Sequence, residues 1–371
     1  MPQILTINAG SSSVRFAIFS SGATPARLLD GKIERLDAEA VAATADRLAQ
    51  RLEAQSAIAV PDAIGHRVVH GMLHSQPERV SPTLLTELRS IASLDPEHLP
   101  REIELIEAMQ RHYPNVPQVA CFDTAFHRDM PVEATLLPIP RCYAAQGVQR
   151  YGFHGLSYTY LMQELRRLGD GAATRGRVIL AHLGSGASLA AVLNGRGVDT
   201  SMGFTPAAGL VMGTRSGDLD PGLASYLMLR ESMNAAQFQT MINEQSGLLG
   251  LSEISADVRD LLERETTDRR AHEAIAIFCY QAKKWIGAYT AALGGLDTLV
   301  FAGGIGENAA AVRRRICEGL QCIGIELDES RNVVHAACIS TGRVAVRVIR
   351  TDEESVIASL TAQCLGISTE E

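Results

Sequence analysis

The 371-residue sequence predicts an α/β fold built from two related domains. Three observations predict it. Short β-branched runs alternate with longer helical patterns, the mark of mixed α/β layers. The chain exceeds the roughly 250–300 residues that a single core fills. A strand, Gly/Ser turn, strand unit occurs twice, as ILTINAGSSSVRFAIF from Ile4 and VILAHLGSGASLAAVLNGRGVDT from Val178.

QILTIN and VRFAIF read as strands flanking the first turn, and AVAATADRLAQRLEAQ follows as an Ala-rich amphipathic helix. QVACFD, RVILAHL, SLAAVL, TLVFAGG and VAVRVI read as further strands, several too apolar to be exposed on either face. NGRG after SLAAVL is a hairpin turn. Residues from about Asp268 to Leu293 form a helix, because Ile275, Phe278, Ala282, Ile286 and Tyr289 recur at spacings of three and four. VFAGGIGENAAAVRRRI reads as strand, Gly-rich loop and helix, with Glu307 and Asn308 near the helix start. TDEE reads as a helix cap, Thr351 or Asp352 followed by acidic residues.

Composition narrows the function. A formal net charge of -8 and a pI near 5.7 speak against nucleic acid or an anionic membrane as the main partner. A few local arginines can still make a cleft that accepts small anions. The seven cysteines are scattered and form no C-x-x-C pair, as expected of idle thiols in a reducing cytosol. The start MPQILTINAG lacks a basic leader region, and no apolar run has membrane-spanning length. A soluble cytoplasmic protein is therefore expected.

The Gly-rich turns carry the chemistry. Backbone N–H groups in such turns make concave anion sites, and Gly lets a phosphate approach closely. Each turn alone is an ordinary hairpin; three together exceed what chain reversal needs. No P-loop string G-x-x-x-x-G-K-[ST] occurs. GGIGEN has Asn308 and Ala309 where a dinucleotide fingerprint needs its last Gly, and it stands far from the amino terminus.

The strings INAGSSS, GHRVVHG, CFDTAFH, YGFHG, HLGSGAS, DTSMGFTPAAGLVMGTRSGDLDP, SGLLG, FAGGIGEN and TDEE run in this order over almost the whole chain. With them the sequence resembles the acetokinase (acetate/propionate kinase) family of the sugar-kinase, heat-shock and actin ATPase superfamily. The resemblance implies two duplicated actin-like (ribonuclease H-like) domains with a nucleotide cleft between them. It places the first at 1–125 plus 354–371, on the acyl-substrate and metal side. The second, on the nucleotide side, is 126–353. It also implies closure on binding, a homodimer, and transfer of the γ-phosphoryl of ATP to a short carboxylate.

Residue roles follow from the same resemblance. Arg67, Asp123, His154 and Arg215 are the implied catalytic set. Arg67 binds the substrate carboxylate or phosphoryl group, which suits its planar fork. Arg215 and His154 stabilise the transferring phosphoryl. Asp123 is implied in an acid/base or orienting role. A short carboxylic acid, with a pKa of roughly 4–5, is already ionised at pH 7, so orientation of Arg67 or of a magnesium-bound water is the expected role. Asn8 and Glu353 are the implied Mg²⁺ (or Mn²⁺) residues, acting through water. Ser11, Ser13 and Arg15 are implied to meet phosphate, as are His182, Leu183, Gly184, Ser185 and Gly186. Asp257, Val258 and Arg259, with Gly304, Ile305, Gly306, Glu307 and Asn308, would surround adenosine.

Taken without the resemblance, several of these residues have plainer readings. Arg67 reads as a surface ion-pair residue, His66 and His70 as structural histidines, and TRSGDLDP as an Asp-rich turn with an internal salt bridge through Asp218 and Asp220. Departures from the family pattern are also visible. Arg15 and Ser185 replace the usual Lys and Asn, and DPEHLP puts Glu97 where the acyl pocket is usually apolar. Val69, Phe153 and Pro206 keep the rest of the apolar wall, and His98 matches the family's histidine. A carboxylate at Glu97 repels a carboxylate substrate unless it turns outward or pairs. Alternatives at this stage are a kinase for propionate or butyrate, another phosphoryl donor, or a non-catalytic actin-like ATPase module. Retention of all four catalytic residues disfavours the last.

Overall fold

The computed structural model describes residues 1–10, 13–20, 25–34, 41–53, 60–96 and 98–367. It divides into two compact units. The first comprises Met1–Arg128, Phe153–Tyr160 and Asp352–Glu371; the second comprises Asp129–Gly152 and Leu161–Thr351.

In the first unit, β1 (Gln3–Ala9), β2 (Ser13–Ser20) and β3 (Ala26–Glu34) form an antiparallel meander. β4 (Ala63–Val68), β5 (Glu78–Arg79) and β6 (Gln118–Phe122) extend it to the order β3-β2-β1-β4-β6-β5, with β4 parallel to β1 and β6 parallel to β4. The apolar runs noted above exist because β1 is covered on both faces. One face packs Leu5, Ile7, Val14, Phe16 and Ile18 against Ala45, Leu48 and Leu52 of the helix Val41–Glu53, together with Leu105 and Met109. The other packs Ile4, Ala17, Phe19 and Ala63 against Ala358 and Ala362 of the helix Glu353–Leu365. Val356 and Ile357 of that helix continue the packing onto Val119 and Cys121 of β6.

The second unit repeats the plan. β7 (Arg177–Leu183), β8 (Ala187–Leu193) and β9 (Arg196–Thr200) are an antiparallel meander. β10 (Thr298–Ala302) lies parallel to β7, and β11 (Ala345–Val348) parallel to β10, giving β11-β10-β7-β8-β9. A meander followed by parallel strands beside its first member is thus used twice, as the two Gly/Ser units suggested. The β8–β9 turn has Asn194 and Gly195 at φ 51° and 81°, the left-handed pair that a two-residue hairpin requires. The helix Arg269–Ala292 buries Ala271, Ile275, Phe278, Ala282, Ile286 and Tyr289, and Asp268 caps it by accepting the N–H groups of Arg270 and Ala271.

Two features differ from the sequence reading. GGIGEN is not a loop but a short helix, Gly303–Asn308, starting directly after β10. The Glu307 carboxylate accepts the Gly303 N–H at 3.0 Å and closes the turn from inside. β3 and β4 were not expected. β3 carries Arg27, Asp30, Gly31 and Lys32 and lies at the sheet edge, where apolar alternation is weak. The cysteines behave as expected: no disulfide forms among the described residues, and burial pushes the Cys121, Cys279 and Cys317 thiols up to about 12. Among the described residues no helix is long and apolar enough to cross a membrane.

Candidate active site

In the first unit the candidate residues gather at the carboxyl ends of the parallel strands, where open α/β sheets bind ligands. β4 and β6 pair Arg67 with Cys121 and Val68 with Phe122, and Asp123 follows β6 with its N–H on the Val68 carbonyl at 2.9 Å. The Arg67 guanidinium donates Nε and Nη2 to Asp123 Oδ2, at 3.0 and 2.6 Å, and Nη1 to the Ala9 carbonyl at 2.8 Å. It therefore ties together the ends of β1, β4 and β6. Three of the five guanidinium N–H groups are accounted for by these bonds, and among the described residues this leaves the fork able to receive an anion. Burial disfavours the charge on Arg67, but the Asp123, Glu353 and Glu102 carboxylates outweigh it and hold the pKa above its ordinary value. The plain surface ion-pair reading of Arg67 is thus corrected: its side chain is largely buried and its partner, Asp123, is 0% exposed.

Asp123 also receives the start of the helix Gly155–Arg167. Its carbonyl accepts the Gly155 N–H at 2.9 Å, and Oδ1 accepts the Leu156 N–H at 3.3 Å. The approach is so close that a Cβ on Gly155 would stand 2.1 Å from the Asp123 carbonyl oxygen. His154, just before it, adopts the left-handed conformation at φ 59°. A non-glycine residue held there costs of order 1 kcal/mol, and such strain concentrates at functional sites. His154 and Asp123 are thus fixed to each other through the backbone.

Asn8 closes the group. It is the cross-strand partner of the exposed Arg15, in the hairpin shut by the Gly10 N–H on the Ser13 carbonyl. Ser11 lies outside the described residues, as does Glu97. Asn8 Nδ2 donates to Glu353 Oε2 at 2.8 Å and to Glu354 Oε1 at 3.1 Å. Asp352, and not Thr351, caps their helix by accepting the Ser355 N–H at 3.1 Å. Burial raises the pKa of both glutamates; Arg67 works in the opposite sense on Glu353. Glu102, Asp123, Glu353 and Glu354 thus face one largely buried cation, Arg67, and the exposed Arg15. Among the described residues no group of three or more His, Cys, Asp or Glu is arranged as a metal cage.

In the second unit the glycine turns converge. The β7–β8 turn holds Gly184 N–H on the Gly186 carbonyl at 3.0 Å, with Ser185 exposed at its tip. Gly303, at φ 76°, abuts this turn: a Cβ there would stand 2.6 Å from the Leu183 carbonyl oxygen. The Gly213 N–H donates to the Ser185 carbonyl at 2.9 Å, and a Cβ on Gly213 would lie 3.3 Å from the Ala256 carbonyl oxygen, beside Asp257. HLGSG, the loop ending in Arg215, DVR and GGIGEN are therefore neighbours. His182 is half-buried, and Leu183, Val258 and Gly306 are buried. Asp257 caps the helix Val258–Arg264 through the Arg259 N–H at 2.8 Å and pairs with the exposed Arg259 at 2.6 Å. Glu307 holds the Gly303 and Thr351 N–H groups, and Asn308 Nδ2 donates to the Gly304 carbonyl at 2.9 Å.

Other residues have partners within the fold. His66 is buried against Gln118 at 2.7 Å, and burial lowers its pKa to about 4. His70 Nδ1 accepts the Met72 N–H at 3.1 Å, and its ring meets Phe153 edge-on. Within TRSGDLDP, Asp218 accepts the Gly209 N–H at 2.8 Å, and Asp220 caps the helix Pro221–Arg230. Gly247 is a positioning residue that no pattern of side chains announced. At φ 61° it lies so close to the Arg215 loop that a Cβ would stand 2.3 Å from the Met212 carbonyl oxygen. The neighbouring Ser246, Leu248 and Leu249 N–H groups donate to Thr214, Met212 and Gly213. Only the string SGLLG itself could have signalled this strap.

Two sheets of one topology, each a meander joined to parallel strands, with glycine turns at the strand ends, define a duplicated actin-like ATPase fold. The chain belongs to the acetokinase family, whose model matches residues 35–359. It is 41% identical to an acetate kinase of Rhodopseudomonas palustris over 96% of each chain. Identity is also 41% to that of Methylocella silvestris, over 98% of each. Among solved structures it matches Porphyromonas gingivalis acetate kinase with a TM-score of 0.87 at 34% identity, covering 98% of this chain and all of the other. A propionate kinase from Francisella tularensis matches with a TM-score of 0.85, also at 34% identity and the same coverage.

Proposed function

We propose that this chain is a carboxylate kinase that converts acetate and ATP to acetyl phosphate and ADP by direct in-line transfer. The observation that carries this reading is the Arg67 fork, held at the strand ends by Asp123 and Ala9, with N–H groups to spare among the described residues. Acetate arrives ionised, so no base is needed. Arg67 binds its carboxylate, and Asp123 keeps the guanidinium in register. A carboxylate oxygen then forms the new O–P bond to the γ-phosphorus. The bond to the β–γ bridging oxygen breaks, and its electron pair leaves with ADP. His154 and Arg215 neutralise charge on the equatorial oxygens during this exchange. The β7–β8 turn and the Gly303 helix start supply N–H groups for the nucleotide phosphates, with DVR and GIGEN beside the adenosine. Ser13 and Arg15 lie on the phosphate side of the first hairpin.

The oxygen-rich, carboxylate-heavy surroundings of Asn8 and Glu353 fit a hard divalent cation. Magnesium bound there through water would neutralise phosphate charge. Asn8 and Glu353 would hold that ion through its waters.

One assay tests the whole reading. ATP consumption is followed with acetate, propionate, butyrate or no acid, with hydroxylamine trapping of acyl phosphate, before and after chelation of divalent cations. The expected result is acid-dependent turnover with trapped product, lost on chelation. Hydrolysis without acid and without trapped product refutes the kinase.

The same reading includes a homodimer and a cytoplasmic setting. The second unit supports the first point. Its helices Pro221–Arg230 and Ala235–Glu244 contain no buried residue, and Tyr226 and Leu229 are 55% and 84% exposed. Exposed apolar side chains of this kind mark partner surfaces. Leu229→Asp is expected to shift the species seen by light scattering from dimer to monomer; an unchanged mass removes this helix from the interface. Seven unpaired thiols support a reducing compartment.

A further inference from the structure

Glu102 lies in the first turn of the helix Leu99–His112, with 2% of its surface exposed. Its Oε2 accepts the N–H of Val69 at 2.9 Å, two residues beyond Arg67. Its Oε1 is buried and has no hydrogen-bond partner among the described residues. The charged groups that act on it are Arg67 from β4, Asp123 after β6, and Asp95 from the segment preceding its own helix. Asp95 is already engaged, accepting from the His98 N–H at 3.3 Å and lying 2.9 Å from His98 Nδ1.

An ionised carboxylate with one oxygen buried and unbonded carries a heavy desolvation cost, whereas a neutral carboxyl does not. Burial accordingly pushes Glu102 up to about 8, with Arg67 and the Val69 N–H pulling the other way and Asp95 and Asp123 adding to the rise. Near neutral pH, Glu102 therefore braces the strand end without adding a negative charge beside Arg67.

We propose that Glu102 is a positioning residue for Arg67: as a neutral carboxyl it braces the strand end through Val69, and as a carboxylate it competes with the substrate carboxylate for the guanidinium. This rests on the reading of Arg67 as the substrate-binding arginine. It makes capture of the acid, and not the chemical step, the alkaline-sensitive part of the cycle. A binding-competent form that falls to about one part in eleven one pH unit above its pKa raises the apparent KM roughly tenfold.

The test compares the wild-type enzyme with Glu102→Gln, an uncharged isostere whose carbonyl can still accept the Val69 N–H. KM for acetate is measured at saturating ATP and magnesium from pH 6 to pH 9. In the wild type KM rises roughly tenfold between pH 7 and pH 9 while kcat holds; in the variant the rise falls to about twofold or less. A variant that keeps the full rise, or that fails to fold, overturns the proposal. A second readout does not depend on activity. The folded chain keeps a proton on Glu102 that the unfolded chain releases above the ordinary 4.5, so stability falls as pH rises from about 4.5 to about 8. The thermal midpoint should therefore drop more across that window in the wild type than in Glu102→Gln, and equal drops overturn the brace. Wild-type enzyme that phosphorylates no carboxylate at all overturns the kinase reading instead, and the thermal comparison still decides the brace.

Discussion

Arg67→Ala is expected to lower kcat/KM for the carboxylate by about thirtyfold to a few thousandfold, and to destabilise the first unit as well. Truncating one partner of a buried, hydrogen-bonded charge pair costs about 2–5 kcal/mol, and each 1.4 kcal/mol is a factor of ten. Part of that figure is stability, because Asp123 is left fully buried without its cation. The two contributions separate in the measurements. The loss should fall mainly on KM for acetate, with KM for ATP little changed, while the thermal midpoint drops. Arg67→Lys restores charge but not the fork, since one ammonium cannot serve both Asp123 Oδ2 and the Ala9 carbonyl as the guanidinium does. It should recover stability further than it recovers acetate binding. An Arg67→Ala enzyme with unaltered KM for acetate would remove this residue from the substrate site.

Arg215→Ala is expected to lower kcat by about a thousandfold with little change in the thermal midpoint, because a cation aimed at the transferring phosphoryl is worth 10³–10⁵ in rate. Backbone hydrogen bonds hold the loop in shape. Met212 N–H closes on the Arg215 carbonyl at 3.0 Å, and the Ser246, Leu248 and Leu249 N–H groups strap the loop at 2.8 to 3.0 Å. The contacts of the Arg215 guanidinium include a long bond to the Pro206 carbonyl at 3.3 Å and one with the Met212 sulfur at 3.8 Å. Single-turnover rates and calorimetric ATP affinity check the expectation: the rate collapses and the affinity stays. Equal losses in both would make Arg215 a ground-state nucleotide contact.

The strands that could be read directly are those buried on both faces. Ile4, Leu5 and Ile7 in β1, and Val178, Ile179 and Leu180 in β7, are near 0% exposed, and continuous burial writes a continuous apolar run. β4 escaped because its sequence AIGHRV carries Arg67 and His66, whose burial is bought by specific partners and not by apolar character. The helical form of GGIGEN was hidden for a related reason. Three glycines argue for a loop, whereas the helix is stabilised by the Glu307 carboxylate on the Gly303 N–H, by Asn308 on the Gly304 carbonyl and by Arg313 on the Gly306 and Glu307 carbonyls. Arg67 and Asp123 were named 56 positions apart, yet their bonding depends on the parallel register of β4 and β6, which no local pattern encodes. Gly247 was invisible for the same cause: its conformation matters through the backbone of residues 212–215, a long-range contact made without a side chain.

The helix Glu353–Leu365 supplies Glu353 and Glu354 and also covers Ile4, Ala17, Phe19 and Ala63. β1 leaves the ribosome well before this helix does. At the usual 5–20 residues per second, some 350 residues separate them by roughly 20–70 s. Throughout that interval one face of the first sheet lacks its apolar cover, and by its end every strand of the second sheet has been made. Synthesis therefore orders assembly from the interior of the chain outward, and a nascent chain stalled before residue 353 exposes an apolar surface that holdase chaperones bind.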